Sequence, residues 1–362
     1  MPVSALDYEL PTGLVAQTPP AHRDDARLLV VDRVRATLCD RMIRDLPSLL
    51  SPGDLLVVNN TRVLPARFQC QRITGGAIRG LFVEDKGSGI WRVMLEGSRR
   101  LRVNERLVFN EPRGTWQPIT MELVERLAEG HWLVSVDRRD SASAILDRVG
   151  HTPLPPYIAR KKEEASQTIC DDSERYQTVY ARVPGAIAAP TAGLHFTDAL
   201  LDSIRQRGIA CAGVTLHVGV GTFKPIATER IADHVMHKEW FALPTSAAQA
   251  IVACRQRRGR VVAVGTTSLR VLESVARTST PSSGDQEGAP VRASSGWTDL
   301  FVYPPYRVSA VDALLTNFHL PKSTLLALVM AFAGIDLTRK AYAHAIAAAY
   351  RFYSYGDAML IL

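Results

Sequence analysis

The chain has 362 residues, 46% hydrophobic and 22% charged, a formal net charge of +7 and a pI near 9.3. These values describe a globular chain and argue against a disordered or fibrous one, while the positive excess suits a partner that carries phosphates. Cys39, Cys70, Cys170, Cys211 and Cys254 form no Cys-x-x-Cys pair, no signal-peptide pattern opens the chain, and the longest apolar stretch, 325–334, falls short of the roughly 20 residues a bilayer requires. No membrane association and a cytoplasmic location are therefore expected.

In chain order, the first strong element is the apolar run Leu55–Val58, punctuated by Pro52-Gly53 and read as a buried strand. Asn59, Asn60, Thr61 and Arg62 follow at its carboxyl end. From about 65 to 150 the pattern changes to short strand-like pieces: Ile78–Val83, Trp91–Leu95, Arg106–Phe109, Thr120–Val124 and Trp132–Val136. Their close spacing and Gly, Pro and Asn turns predict a small all-β barrel or sandwich. Beyond Leu154-Pro155-Pro156 strands and helices alternate again. A helix capped by Thr197 is expected to stop at Gly208. A strand then places Val214, Leu216 and Val218 on one face and Thr215 and His217 on the other. Val261–Val264 reads as a buried strand feeding a helix through Val275. Residues 278–295, rich in Ser, Thr, Pro and Gly, read as a flexible surface loop. Two helices follow, one from Ser323 to Gly334 and one from Asp336 toward Arg351, before an apolar final strand.

The fold class expected is thus an α/β (mixed α+β) main domain with an inserted small all-β barrel domain. The main domain would be discontinuous, 1–64 with 151–362, and the insertion would span 65–150.

Several polar loops sit at strand ends. Gly265-Thr266-Thr267-Ser268-Leu269-Arg270 lies at a strand-to-helix junction, where free N–H groups and the helix dipole favour an anion; a helix capped by Thr or Ser fits equally well. Arg270, read in the first turn, needs an anionic partner. His217-Val218-Gly219-Val220-Gly221-Thr222-Phe223-Lys224 offers glycines for close approach of a ligand but lacks the third glycine of a dinucleotide fingerprint. His195 sits in a loop of small residues. His234 and His237 have chelating spacing on a helix, yet no third ligand neighbours them, so no metal is expected. Asn317, His319 and Lys322 exceed what a helix start requires. Basic runs occur at Arg99, Arg100 and Arg102, at Arg160, Lys161 and Lys162, and at Arg255, Arg257, Arg258 and Arg260; Tyr350–Asp357 is dense in aromatics suited to core packing or base stacking.

The segments YELP (8–11), GDLLVVNNTRVLPAR (53–67), RYQTVY (175–180), APTAGLHFT (189–197), VTLHVGVGTFKP (214–225), VGTTSLR (264–270), LLTNFHLPKSTL (314–325) and YRFYSYGDAMLIL (350–362) resemble the S-adenosylmethionine:tRNA ribosyltransferase-isomerase family. One departure is Pro305, where a glycine is more usual; it bears on local loop shape. The resemblance implies the same two-part fold and a step of queuosine biosynthesis. The ribosyl unit of S-adenosylmethionine would pass to 7-aminomethyl-7-deazaguanine at the tRNA wobble position and isomerise, giving epoxyqueuosine-tRNA, adenine and methionine. S-adenosylmethionine would be a consumed substrate, no cofactor is implied, and the partner is the tRNA anticodon stem-loop. On this reading His195 and His217 are candidate proton-transfer residues, because the sulfonium acidifies the adjacent ribose methylene and histidine suits both proton roles. Thr266, Thr267 and Arg270 would hold the methionine carboxylate or a phosphate. Asn59, Asn60, Arg62, Thr191 and Lys224 would line the cleft, and His319 and Lys322 would contact substrate or RNA. Competing readings are a tRNA methyltransferase, disfavoured by the missing early glycine-rich turn, a non-catalytic RNA-binding protein, and a His-based metallohydrolase.

Overall fold

A computed structural model describes residues 1–97, 100–110, 118–137, 140–158, 172–219, 221, 225–279 and 291–362. Four parallel strands form the centre of a nine-stranded mixed sheet: β13 (Ala210–Leu216), β3 (Leu55–Asn59), β15 (Val261–Val264) and β17 (Ala313–Asn317). Beyond β17 come β18 (Ala358–Ile361), β1 (Arg27–Asp32) and the edge strand β2 (Thr37–Met42). Beyond β13 come β14 (Glu239–Leu243) and β16 (Ser294–Thr298). β3, β15 and β17 are buried at every residue, which is why they read as unbroken apolar runs rather than alternating ones.

The pleat distributes those runs between two cores. Leu55, Val57, Val214, Leu216 and Val218 pack with helices Thr245–Gln256, Gly265–Ser279, Thr324–Ala333 and Ile335–Ala347. Leu56, Val58, Val262 and Val264 face the opposite side, against Leu200, Leu201 and Ile204 of helix Asp198–Gln206. Thr197 caps that helix, its side chain accepting Leu200 N–H at 3.1 Å, and Gly208 follows with φ +76°. Ser323 likewise caps Thr324–Ala333, with Gly334 at its end. The helix at Gly265 differs from expectation. It starts directly at Gly265, φ +87°, with no Thr or Ser cap, and Ser268 Oγ instead donates back to Val264 O. Arg270 therefore lies in the second turn.

The second unit is a closed six-stranded antiparallel barrel. β5 (Arg67–Arg72), β6 (Ala77–Asp85), β7 (Ile90–Leu95), β10 (His131–Val136), β9 (Thr120–Arg126) and β8 (Arg106–Phe109) pair in that order, and β8 closes onto β5. Alternate residues point inward, and Phe68, Trp91, Phe109 and Trp132 fill the interior. Helix Ala142–Val149 and β11 (Gly150–His151) complete it, with β11 on β5. A parallel ribbon of β4 (Thr61–Val63) and β12 (Val183–Ala186) runs between β3 and the barrel.

Of the expected 278–295 loop, residues 280–290 lie outside those described; its flanks are helix up to Ser279 and strand from Ser294. No helix among the described residues is long and apolar enough to cross a membrane.

Candidate active site

Because β13, β3, β15 and β17 run parallel, their carboxyl ends share one edge of the sheet, where open α/β sheets place their ligands. The polar segments singled out in the sequence lie at these ends: Asn59-Asn60 at the end of β3, His217 after β13, Gly265–Thr267 after β15 and Asn317–His319 at the end of β17. The 3-10 helix Thr191–His195 packs beside them.

One cavity there is lined by Thr191, Thr266, Thr267, Thr316, Asn317 and His319. A second shares Thr191, Asn317 and His319 and adds Tyr157, Tyr353 and Ser354. Thr267 Oγ1 and Asn317 Oδ1 are both buried and without a hydrogen-bond partner among the described residues. Buried polar atoms are normally paired, so these two residues with unpaired atoms single out the cavity as a candidate ligand site.

The three histidines are held differently. His195 is 3% exposed and lies behind Asn317, whose Nδ2 is 3.1 Å from His195 Nε2. Burial pushes its pKa down to about 4, only partly offset by a hydrogen bond to the Arg23 backbone. His319 lies in the cavity wall, Nε2 2.8 Å from Thr316 Oγ1, and burial lowers it to about 3. His217 is half-buried: Nδ1 is 2.8 Å from Thr61 Oγ1, the ring stacks on Trp240 at 5.0 Å, and desolvation lowers its pKa. All three imidazoles are thus neutral near pH 7, each with a free lone pair, and the same burial weakens them as bases.

Other residues of the sequence set serve the frame. Asn59 ties β3 to β13, its Nδ2 donating to Leu216 O and its Oδ1 accepting Leu216 N–H and Thr61 N–H. Asn60 Oδ1 accepts the Thr215 hydroxyl at 2.7 Å. Arg62 is exposed on β4. Lys322, φ +55°, pairs with Asp7 at 2.7 Å. Lys224 lies outside the described residues.

Arg270 belongs to a third cavity, where its Nη1 donates to Glu239 and its Nε to Leu300 O. The anionic partner it requires is therefore internal. His234 and His237 also line this cavity but follow a 3-10 turn rather than sharing a helix, and no group of three metal-binding side chains occurs among the described residues. The 255–260 basic run lies at the opposite, amino ends of the strands. Two of its arginines are taken up there, Arg255 by Asp312 and Arg260 by Asp54. Glu239, Thr316 and Tyr157 were not singled out in the sequence, and Tyr353 only within the aromatic run 350–357; the unmet demand of Arg270 for an acid pointed toward Glu239.

Comparison with known proteins extends over the whole chain. Residues 3–361 match the family described as queuosine biosynthesis protein. The chain is 46% identical to the S-adenosylmethionine:tRNA ribosyltransferase-isomerase of Trichlorobacter lovleyi, covering 100% of both. It is 48% identical to the protein of that name from Rubrobacter xylanophilus, covering 100% of this chain and 98% of the relative. A crystal structure of S-adenosylmethionine tRNA ribosyltransferase from Thermotoga maritima is similar with a TM-score of 0.55 and 33% identity, over 99% of this chain and 100% of that one.

Proposed function

Because this chain belongs to the queuosine biosynthesis family of S-adenosylmethionine:tRNA ribosyltransferase-isomerases, we infer that the cavities at the carboxyl ends of β3, β13, β15 and β17 carry out that reaction. The enzyme transfers and isomerises the ribosyl moiety of S-adenosylmethionine onto 7-aminomethyl-7-deazaguanine in tRNA, giving epoxyqueuosine-tRNA, adenine and methionine. The observation that supports this placement is the pair of orphaned atoms, Thr267 Oγ1 and Asn317 Oδ1, in a cavity walled by His319.

The sulfonium makes the neighbouring ribose methylene acidic, and an imidazole that is neutral near pH 7 has its lone pair free to take that proton. We assign the proton-transfer steps to the set His195, His217 and His319. His195 acts through Asn317, the residue it orients, and His217 acts at the β13 end beside Thr61. Thr191, Thr266 and Thr267 supply hydroxyls for the ribose or adenine. Leaving-group departure supplies the driving force, so the chemistry calls for no added metal or coenzyme, and S-adenosylmethionine is a consumed substrate. The RNA partner is the anticodon stem-loop, which the net charge of +7 favours, and the compartment is the cytoplasm where tRNA is modified.

Incubation with S-adenosylmethionine and an anticodon stem-loop bearing 7-aminomethyl-7-deazaguanine should release adenine and add the mass of the epoxycyclopentanediol to the nucleoside. A methyl-sized gain with S-adenosylhomocysteine would overturn this in favour of methyl transfer. Asn317→Ala and His319→Ala should each lower kcat by about 100-fold or more; unchanged turnover in both would remove this cavity from the reaction.

A further inference from the structure

The end of β13 begins a row of aromatic side chains that crosses three strands. His217 donates its backbone N–H to Trp240 O at 2.9 Å, and the two rings stack with an interplanar angle of 21°. Directly opposed residues of antiparallel strands present their side chains on one face. Beyond Trp240, Trp297 of β16 is opposite it in register and is 61% exposed. The imidazole is fixed at its edges as well. Thr61 Oγ1 meets Nδ1 at 2.8 Å, and Gly185 leaves the Nε2 edge uncovered, since a Cβ there would lie 2.6 Å from both Cε1 and Nε2. Neither His195 nor His319 has an aromatic ring stacked on it among the described residues.

Burial and the stack act on His217 in opposite directions. Burial penalises the imidazolium and by itself accounts for the lowered pKa, with no charged group contributing. The surrounding elements agree. β4 presents Thr61, with Arg62 exposed on its other side, and β12 presents Gly185, with Arg182 exposed before it. On β14, Glu239 is turned to Arg270 and the Gly219 N–H, and Lys238 just before it is exposed. An indole face attracts a cation within about 6 Å of its centroid, more strongly where water is excluded. The ring centroids here are 5.0 Å apart. We propose that Trp240 is a positioning residue for proton transfer: its indole face orients His217 and sustains the imidazolium formed there, so that His217, rather than His195 or His319, takes the proton of the donor's ribose methylene. This rests on the reading that S-adenosylmethionine is the ribosyl donor and that His217 moves a proton. The proton passes to Nε2, the carbon–hydrogen electron pair stays on the carbon beside the sulfonium, and no oxidant or co-reactant enters. His195 and His319 then serve by hydrogen bonding, to Asn317 and Thr316.

Histidine-selective NMR of the full-length protein reads the titration of His217, whose signal is assigned by its loss in His217→Ala. Trp240→Leu should lower the His217 pKa by about 0.5 to 1. A Trp240 that only fills space gives the opposite sign, because the smaller side chain admits water and the pKa rises toward its ordinary value. Trp240→Phe keeps a weaker aromatic face; it should lower the pKa by less, and it covers the case in which Trp240→Leu fails to fold. In adenine release with the modified stem-loop, the acid limb of kcat/KM should move down with the pKa. The plateau of kcat should fall by about 3- to 10-fold. Trp297→Ala, one strand further out, should leave both readouts unchanged. A pKa that rises or stays constant in the Trp240 variants would overturn the proposal. So would a loss of kcat with an unmoved acid limb, or an equal fall in pKa in Trp297→Ala. Full turnover in His217→Ala would refute the reading that His217 moves the proton, and absence of adenine release from the wild type would refute the transferase reading. In either case the NMR titration would still decide what Trp240 does to the ring.

Discussion

Gly185 decides where His217 can stand. Its φ is +151°, and a Cβ there would come within 2.6 Å of the His217 imidazole, which stacks on Trp240 and is held by Thr61. Gly185→Ala should therefore push the ring off its partners. We expect kcat to fall by about tenfold or more, while stability drops by about 1–3 kcal/mol, the usual cost of local strain. Steady-state kinetics with a parallel melting curve checks this; a variant with full kcat would show that His217 need not be held in place. The histidines themselves were legible in the sequence because each stands in a loop of small or polar residues after an apolar run. Their partners were not. His195 meets Asn317 across 122 positions of sequence, and Arg270 meets Glu239 across 31, so no local pattern records either contact. For the same reason the sequence could not show that His195 lies behind Asn317 while His319 stands in the cavity wall.

Each central strand has one end given to stability and the other to the site. At the amino ends, Asp54 accepts the Arg260 N–H at 3.0 Å, is bridged by Arg260 Nη2 at 2.6 Å, and offers its carbonyl to Ala210 N–H, joining the starts of β3, β15 and β13. Asp312 does the same for β15 and β17, accepting Val261 N–H at 2.7 Å. Burial alone would raise the Asp54 carboxyl, but Arg260 and the Ser51 and Arg260 N–H groups bring it below its ordinary value. The sign follows: its stabilisation is complete above the unfolded carboxyl range and is lost as pH falls through the lower folded value. Asp54→Asn should cost about 1–3 kcal/mol at neutral pH and flatten the acid end of the stability curve. S-adenosylmethionine turnover below the melting temperature should be kept, because the carboxyl ends are untouched. Loss of turnover in a well-folded Asp54→Asn protein would contradict this division of labour. The central strands, the barrel strands and the two capped helices could be read from their apolar periods and caps. The sheet edges could not. β2 reads Thr-Leu-Cys-Asp-Arg-Met and β16 reads Ser-Ser-Gly-Trp-Thr, the polar, broken patterns by which edge strands avoid pairing with other chains.

Across the whole molecule the sheet and the barrel are filled by separate sets of side chains. The barrel core contains Phe68, Trp91, Phe109, Trp132 and Leu146; apart from the barrel's own segment it draws in, among the described residues, only Leu64 and Ile187 from the flanking chain. The cavities, in contrast, are lined almost wholly by residues of the sheet unit and its helices. Ligand binding and barrel stability should then act on different unfolding transitions. Leu146 is fully buried, and Leu146→Ala should cost about 2–5 kcal/mol. That loss should fall on a transition reported by Trp91 and Trp132, whose emission shifts as the barrel opens. S-adenosylmethionine at about 100 times its Kd should add about 2.7 kcal/mol to the other transition, with or without the Leu146 substitution. If the mutation and the ligand instead shift one common transition, the β4–β12 ribbon transmits enough coupling to make the molecule a single cooperative unit. In that case barrel substitutions should also weaken donor binding. Independent transitions would mean that barrel substitutions leave S-adenosylmethionine binding unchanged.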